Sequence, residues 1–436
     1  VEDHVAVGLT AWQREVQEEA EEEYPPRIAD AVAHPERYAA PERFPKLALL
    51  VSGAVMVQKT LALELTRALL GLAFDIALTV GASSRFREHE EFGRSVLALI
   101  DVLDETGAPV SGLLLSAARF QALFANGDRS RLDLIVRAVA ASRTADERIA
   151  ALLTMSRSRT DISDYQGARA ALAECALLVR QESTSHWGAE YEHSLGLTHY
   201  YADPERAAAH FEKSVELGRP VIERSGVSQA VASSLHYLGR FAAERRDYAR
   251  ALDLYAEGER LSDKRLSSHG YYHQRVAEIL VVHGTIEEAA YHLTRSQQTF
   301  DQAAQRSSAL ALLGGTWTDF FLRTGDLDQA EDAVADAIKL SRKEEGGARV
   351  ELVLLAKRLR LLIRQRRLSA LLVLLCRAAW LYVREELDHN PVTAVRQTLV
   401  VARQGARMVR PGGGSPGGQP LICPCGEDHR AGGTAG

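Results

Sequence analysis

The stretch Leu235-His236-Tyr237-Leu238-Gly239-Arg240-Phe241-Ala242, followed by Arg246-Asp247-Tyr248-Ala249-Arg250-Ala251-Leu252 and then Tyr255 and Gly258, decides the fold. Apolar residues recur every three or four positions on both sides of a short polar turn, the period of a helix with one buried face. Gly239, Ala251 and Gly258 are small enough to let two helices approach closely. Leu235, Leu238 and Tyr255 are large enough to fill the gap to a neighbouring pair. The segment therefore predicts a helix–turn–helix hairpin built to stack on copies of itself.

Such copies are present. Ser163-Asp164-Tyr165-Gln166-Gly167-Ala168-Arg169, Gly284-Thr285-Ile286-Glu287-Glu288-Ala289 and Gly325-Asp326-Leu327-Asp328-Gln329-Ala330 each give a polar turn and then a helix opening on a small residue. Leu195-Gly196, the Asp203-Pro204 turn, Ala207 and Phe211 repeat the pattern, as do Trp317, Phe321, Ala330 and Ala337. The aligned alanines 168, 207, 251, 289 and 330 are spaced by 39, 44, 38 and 41 residues, and Ala370 follows 40 later in a more degenerate unit. A fixed phase over five units marks a repeat architecture.

These residues resemble the tetratricopeptide repeat over roughly 147–385, with a period near 40 in place of that family's ~34, which implies longer helices or loops. With Phe86 to Ala141 included, the texture also resembles the C-terminal repeat sensor region of actinobacterial NB-ARC/STAND-type regulators, although no single motif carries that likeness. The resemblance implies an all-α fold, a right-handed α-solenoid of helix pairs, acting as a sensor or scaffold without catalysis of its own.

Composition agrees. Of 436 residues, 46% are apolar and 25% charged, which excludes a wholly disordered chain. The formal charge of −6 excludes a polycation made for nucleic acid. Four cysteines are no disulfide framework, and Cys175 and Cys376 fall on apolar helix faces expected in the core. The acidic start (Glu18, Glu19, Glu21, Glu22, Glu23) is unlike a targeting peptide. The chain begins at Val1, from a non-standard start codon or as a fragment. Leu368 to Val383 is apolar over 16 residues, short of the ~20 that span a bilayer. A cytoplasmic location, no nucleic-acid partner and no membrane partner are expected. The division read from the sequence is 1–45, an acidic, proline-rich helical segment; 46–146, an irregular helical region of early repeats; 147–410, the repeat array with a capping helix; and 411–436, a flexible Gly/Pro tail.

Candidate chemistry is sparse. Gly53 to Thr60 matches the phosphate-loop pattern G-x4-G-K-[ST] except that Gln58 replaces the second glycine, whose backbone must approach phosphate closely. Lys59 and Thr60 would be the cofactor-binding residues of a degenerate nucleotide-binding regulator built on 46–105, and no working site is expected. Cys423, Cys425 and His429 supply two thiols and an imidazole in Cys-Pro-Cys-Gly-Glu-Asp-His, a start resembling the SEC-C type zinc motif without its later pair. No cofactor is expected and a disordered tail is the preferred reading, with zinc, in a zinc-linked dimerisation reading, and a redox or other metal use as the alternatives. Lys357, Arg358, Arg360, Arg364, Arg366 and Arg367 form a cationic helix side, expected to be balanced by Glu344, Glu345 and Glu351.

The inner face of the array is the preferred site. Taking Gly196, Gly239, Ala277 and Thr318 as equivalent, the inward positions of the first helices are Glu190, His193, Tyr200, His236, Arg240, Tyr271, Gln274, Glu278, Asp319 and Arg323. Arginine can clamp a carboxylate, tyrosine can pack a side chain, and glutamine and histidine can hydrogen-bond an extended backbone. The expectation is a non-catalytic scaffold or sensor in signalling or transcriptional regulation that binds a protein or peptide, with self-association through the apolar C-terminal helix if nothing caps it.

Overall fold

The computed structural model describes residues 11–38, 43–58, 61–80, 89–124, 128–162, 164–181, 185–200, 202–262, 268–302, 307–343 and 348–387. Among them it is all-α, with eighteen α-helices and no strand. The chain forms two compact units, 1–125 with 129–151 and 126–128 with 152–436.

The first unit holds α1 (Ala11–Ala33), α2 (Phe44–Met56), α3 (Leu63–Val80), α4 (His89–Glu105), α5 (Ser111–Phe124) and α6 (Asp128–Ala140). Its core includes Ile28, Leu47, Leu69 and Phe74, with Phe92 set between Phe44 and Phe120 at ring distances of 5.3 and 5.1 Å. Leu47 to Val51 are helical, in α2, and Gly53 lies in the same helix with the Tyr24 ring seated directly on it. Val96 to Asp101 are helical too, in α4. The strand–loop–helix that a phosphate loop needs is therefore not formed by 47–58. Lys59 and Thr60 lie outside the described residues.

The division between the units falls inside α7 (Ala145–Asp161). The second unit continues with α8 (Tyr165–Gln181), α9 (Ser185–His199), α10 (Pro204–Ser225), α11 (Gln229–Glu244), α12 (Tyr248–Leu261), α13 (Ser268–His283), α14 (Ile286–Gln302), α15 (Ser307–Thr324), α16 (Leu327–Ser341), α17 (Ala348–Arg364) and α18 (Leu368–Leu387). Helices pair as α9/α10, α11/α12, α13/α14, α15/α16 and α17/α18. Successive first helices also touch, α9 on α11, α11 on α13, α13 on α15 and α15 on α17, while the second helices make no comparable contact with one another. This unit is a helical-repeat solenoid whose first helices form the inner layer.

One device closes most turns. In α8, α10, α12 and α16 the residue before the helix is Asp164, Asp203, Asp247 or Asp326, and its carboxylate accepts the backbone N–H three residues on at 2.8–3.2 Å. Thr285 does the same for α14 through its hydroxyl, and Glu288 reaches back to the Thr285 N–H, completing a capping box. The N–H groups of Asp164, Asp247 and Asp326 also donate to carbonyls five residues back, at 2.8–3.0 Å, sealing the preceding helix. One aspartate thus satisfies two helix ends. The tight reversal puts Gly325 at φ 89°, and Arg246 is forced to φ 67° and Arg366 to φ 57°.

The fourth residue of each of these second helices, Ala168, Ala207, Ala251, Ala289 and Ala330, is fully buried, and the residue one turn on is Leu172, Phe211, Tyr255, Leu293 or Val334, also buried. Facing positions compensate in volume. Gly196 meets Phe211 and Gly239 meets Tyr255, each with room for no Cβ, whereas Ala277 and Thr318 stand in the units with the smaller Leu293 and Val334. Close packing at constant total volume explains the trade. Ala370 falls at the third position of α18, and Leu371 takes the register of the alanines.

The last helix departs from expectation. Cys376 is exposed, not core, whereas Cys175 is buried, and burial with Glu174 nearby pushes its thiol up to about 12. Val373, Leu375 and Trp380 of α18 are also exposed. The expected covering helix 392–408 and the tail with Cys423, Cys425 and His429 lie outside the described residues.

Candidate functional site

The first helices bring the ten groove candidates into one layer, with different fates. His193 is buried, because α9 and α11 touch, and its Nδ1 lies 2.9 Å from Ser234 Oγ. Ser234 donates to Ser214 Oγ at 3.0 Å, and Ser214 donates to the Ala189 carbonyl at 2.8 Å. Each hydroxyl has one proton, so Nδ1–H of His193 must be the donor to Ser234. Burial, and then the charge of Arg157, hold this imidazole at about 3, hence neutral. His236 keeps partial exposure, yet its Nε2 is sealed from solvent without a partner. Its ring packs edge-on against Tyr255, over Gly258. Burial, then Arg275, push it down to about 4.

Gln274 is fully buried, its amide nitrogen 3.5 Å from Glu278 and its carbonyl oxygen unpaired. Tyr200 is buried against Tyr237 and Phe241. Asp319 is held by Lys357 and Arg360 of α17. Arg323 donates to the carbonyls of Leu280, Val281 and Gly284 at 2.8 Å, closing the end of α13. Three polar atoms expected to face an open groove are covered instead: His193 Nδ1 between α9 and α11, Gln274 Oε1 within the buried face of α13, and His236 Nε2 over Gly258 of α12. Asp319 and Arg323 bind neighbouring repeats.

His236 and Asp319 stay partly exposed and Arg323 is exposed, and the remaining four candidates, Glu190, Arg240, Tyr271 and Glu278, are partly exposed as well. Glu190 pairs with Arg157 of α7, and Glu278 with Arg275 at 2.7 Å. Tyr271 meets Phe300 edge-to-face at 5.1 Å. Arg240 lies over the Tyr200 ring at 5.1 Å and the Tyr237 ring at 6.0 Å, a cation–π seat that orients its guanidinium.

Most of the cationic helix side is engaged within the fold. Lys357 and Arg360 meet Asp319, Arg358 and Arg367 meet Glu331, and Arg364 caps the Leu322 carbonyl. Glu351 does balance charge, but for Arg342 and Arg377. Glu344 and Glu345 lie outside the described residues. A hollow of about 250 Å³ lies over α15 between α14 and α16, lined by Trp317, Phe321, Asp301 and Asp336, and is smaller than the ~300 Å³ at which ligand pockets start.

Sequence reasoning missed a second polar cluster. His269 and His273, one turn apart on α13, join Glu259 of α12 and His292 of α14 in a continuous chain of ring and carboxylate contacts. The His-x3-His spacing is a readable signal, whereas nothing local marks Glu259 or His292. His210, hydrogen-bonded to the buried Glu192 at 2.7 Å and stacked on His199, was missed in the same way. Burial works to raise Glu192, but hydrogen bonds from His210 and Lys213 outweigh it and hold the carboxyl below its usual range.

Fold and site together define an all-α helical-repeat protein whose described residues hold no helix long and apolar enough to cross a membrane. No protein-family model matches the chain. No curated protein matches it either. Among solved structures it is similar to a Rap protein complexed with Competence and Sporulation Factor, at TM-score 0.53 and 10% identity over 83% of this chain and 99% of that one. That likeness shows the helical-repeat fold alone. A circular tandem repeat protein aligns at 17% identity over 90% of this chain and 92% of the other with a TM-score of 0.18.

Proposed function

We propose that this chain is a non-catalytic scaffold or sensor in signalling or transcriptional regulation, and that it binds a protein or peptide along the first-helix layer of its second unit. The observation that carries the reading is Arg240, seated on Tyr200 and Tyr237 in mid-layer, with Tyr271 and Glu278 partly exposed on the next first helix. An oriented guanidinium recognises a carboxylate, and a neighbouring tyrosine packs the side chain beside it. The Rap protein of similar fold is itself complexed with a factor, which supports a binding role for this architecture.

The test is an unbiased pull-down from the native host with the intact chain and with Arg240→Ala plus Tyr271→Ala. His236 is left alone because its substitution perturbs packing. A partner captured by the intact chain and lost from the folded double variant supports the groove. A partner held equally by both refutes it.

A further inference from the structure

We propose that His269 and His273 form a binding site for one divalent transition-metal ion, with Glu259 and His292 holding the outer nitrogens of the two rings. The two histidines sit one turn apart on α13, so both rings rise from the same helix face. Their Nε2 atoms are 3.2 Å apart. Two imidazole nitrogens on one ion, each at about 2.0–2.1 Å, stand about 2.9 Å apart at a right angle and about 3.3 Å apart at the tetrahedral angle. The pair is already at chelating separation. The ion would sit off the line joining the two nitrogens, reached by a ring turn of about 35°.

The outer nitrogens are provided for as metal-binding histidines require. Nδ1 of His269 meets the carboxylate of Glu259, which is tied to Ser262 on its own turn. Nδ1 of His273 lies 2.7 Å from Nδ1 of His292, a fully buried ring. A carboxylate behind one ligand and a hydrogen-bond acceptor behind the other fix tautomer and ring orientation.

Protons balance. Without metal, His292 Nδ1–H donates to His273, His273 Nε2–H donates to His269, and His269 Nδ1–H donates to Glu259. With metal, His273 carries its proton on Nδ1 and donates to His292, whose own proton moves to Nε2. All three rings stay neutral, both ligand Nε2 lone pairs are released, and His269 needs no change. No set of three or more protein donors converges among the described residues, so water completes the shell. Imidazole pairs suit Zn²⁺, Ni²⁺ and Cu²⁺ better than Mg²⁺ or Ca²⁺. His269, with 27% of its side chain exposed, is the entry. The ion would fasten α12, α13 and α14 through one cluster.

The experiment titrates Zn²⁺ into the full chain carrying Cys423→Ser and Cys425→Ser, which silences the tail, by calorimetry and by thermal melting. One ion per chain is expected, with a rise in melting temperature at saturation. His269→Gln and His273→Gln should each abolish the site and the rise. Glu259→Gln should weaken binding about 10- to 100-fold. His269 is the more exposed ligand, so its variant decides the case if His273→Gln does not fold. No zinc-dependent heat or melting shift overturns the proposal, as does one-ion binding that survives His269→Gln unchanged.

Discussion

The volume trade between Gly239 and Tyr255 makes a prediction with a change of sign. A Cβ on Gly239 would stand 2.5 Å from Tyr255 Cε1, 2.7 Å from its Cδ1 and 3.2 Å from the Ala251 carbonyl. The buried ring must then move by roughly 1 Å, and overpacking of this kind costs about 1–3 kcal/mol. Alanine returns about 1 kcal/mol of helix propensity over glycine. Gly239→Ala alone should therefore destabilise the chain by about 1 kcal/mol. Tyr255→Leu alone should cost about 2–4 kcal/mol through the cavity it leaves. In that background the clash with the ring is gone and only the 3.2 Å approach to the Ala251 carbonyl remains, and the chain itself has alanine at the equivalent Ala277 with Leu293. There Gly239→Ala should stabilise by about 0.5–1 kcal/mol, a coupling near 2 kcal/mol. Urea melts followed by circular dichroism measure it, with hydrogen exchange of α11 and α12 amides as the local readout, because repeat arrays can unfold in parts. Equal destabilisation by Gly239→Ala in both backgrounds would refute the reasoning.

The turn makes a paired prediction. Asp247→Ala should cost about 1 kcal/mol by removing the cap, and Arg246→Gly should stabilise by about 1 kcal/mol by relieving φ 67°; opposite signs in denaturant melts are the check. Asp319→Asn leaves Lys357, 8% exposed, without its anion, and should cost about 3 kcal/mol, so a change in melting temperature within error would count against the ion pair. His193 and His236 have folded values lowered to about 3 and about 4, from 6.5 unfolded. The unfolded state therefore takes up protons first, and stability present above pH 6.5 is lost as pH falls towards those folded values. By pH 5.5 each should have withdrawn about 1.4 kcal/mol, before most carboxylates titrate. Melts at pH 7 and 5.5 test this, with His193→Asn, whose amide can still donate to Ser234, reducing the loss.

The helix pairs, their phase and their turn residues were legible because they follow from short-range rules. A helix repeats every 3.6 residues, aspartate caps the helix that follows it, and a small residue at a fixed position marks close approach. The placement of Ala168, Ala207, Ala251, Ala289 and Ala330 needed no more than that. Ala370 slipped by one because its unit has neither the aspartate nor the threonine cap that sets the register in the others. The tight spacing of His269 and His273 was equally local and open to the same reading.

What became of each polar side chain was decided by tertiary structure. Periodicity puts His193, His236, Gln274 and Asp319 on one helix face, and it cannot say whether that face meets solvent or the next first helix. The layers touch, so His193 finds Ser234 41 residues away, and Asp319 finds Lys357 and Arg360 at 38 and 41. These separations are close to one repeat length. Stacking copies of a unit sets the same phase of neighbouring repeats side by side, and the inner-layer residues are consumed in joining them. The sequence alone determined which faces the helices have; only the stacking distance determined which side chains those faces leave for a partner.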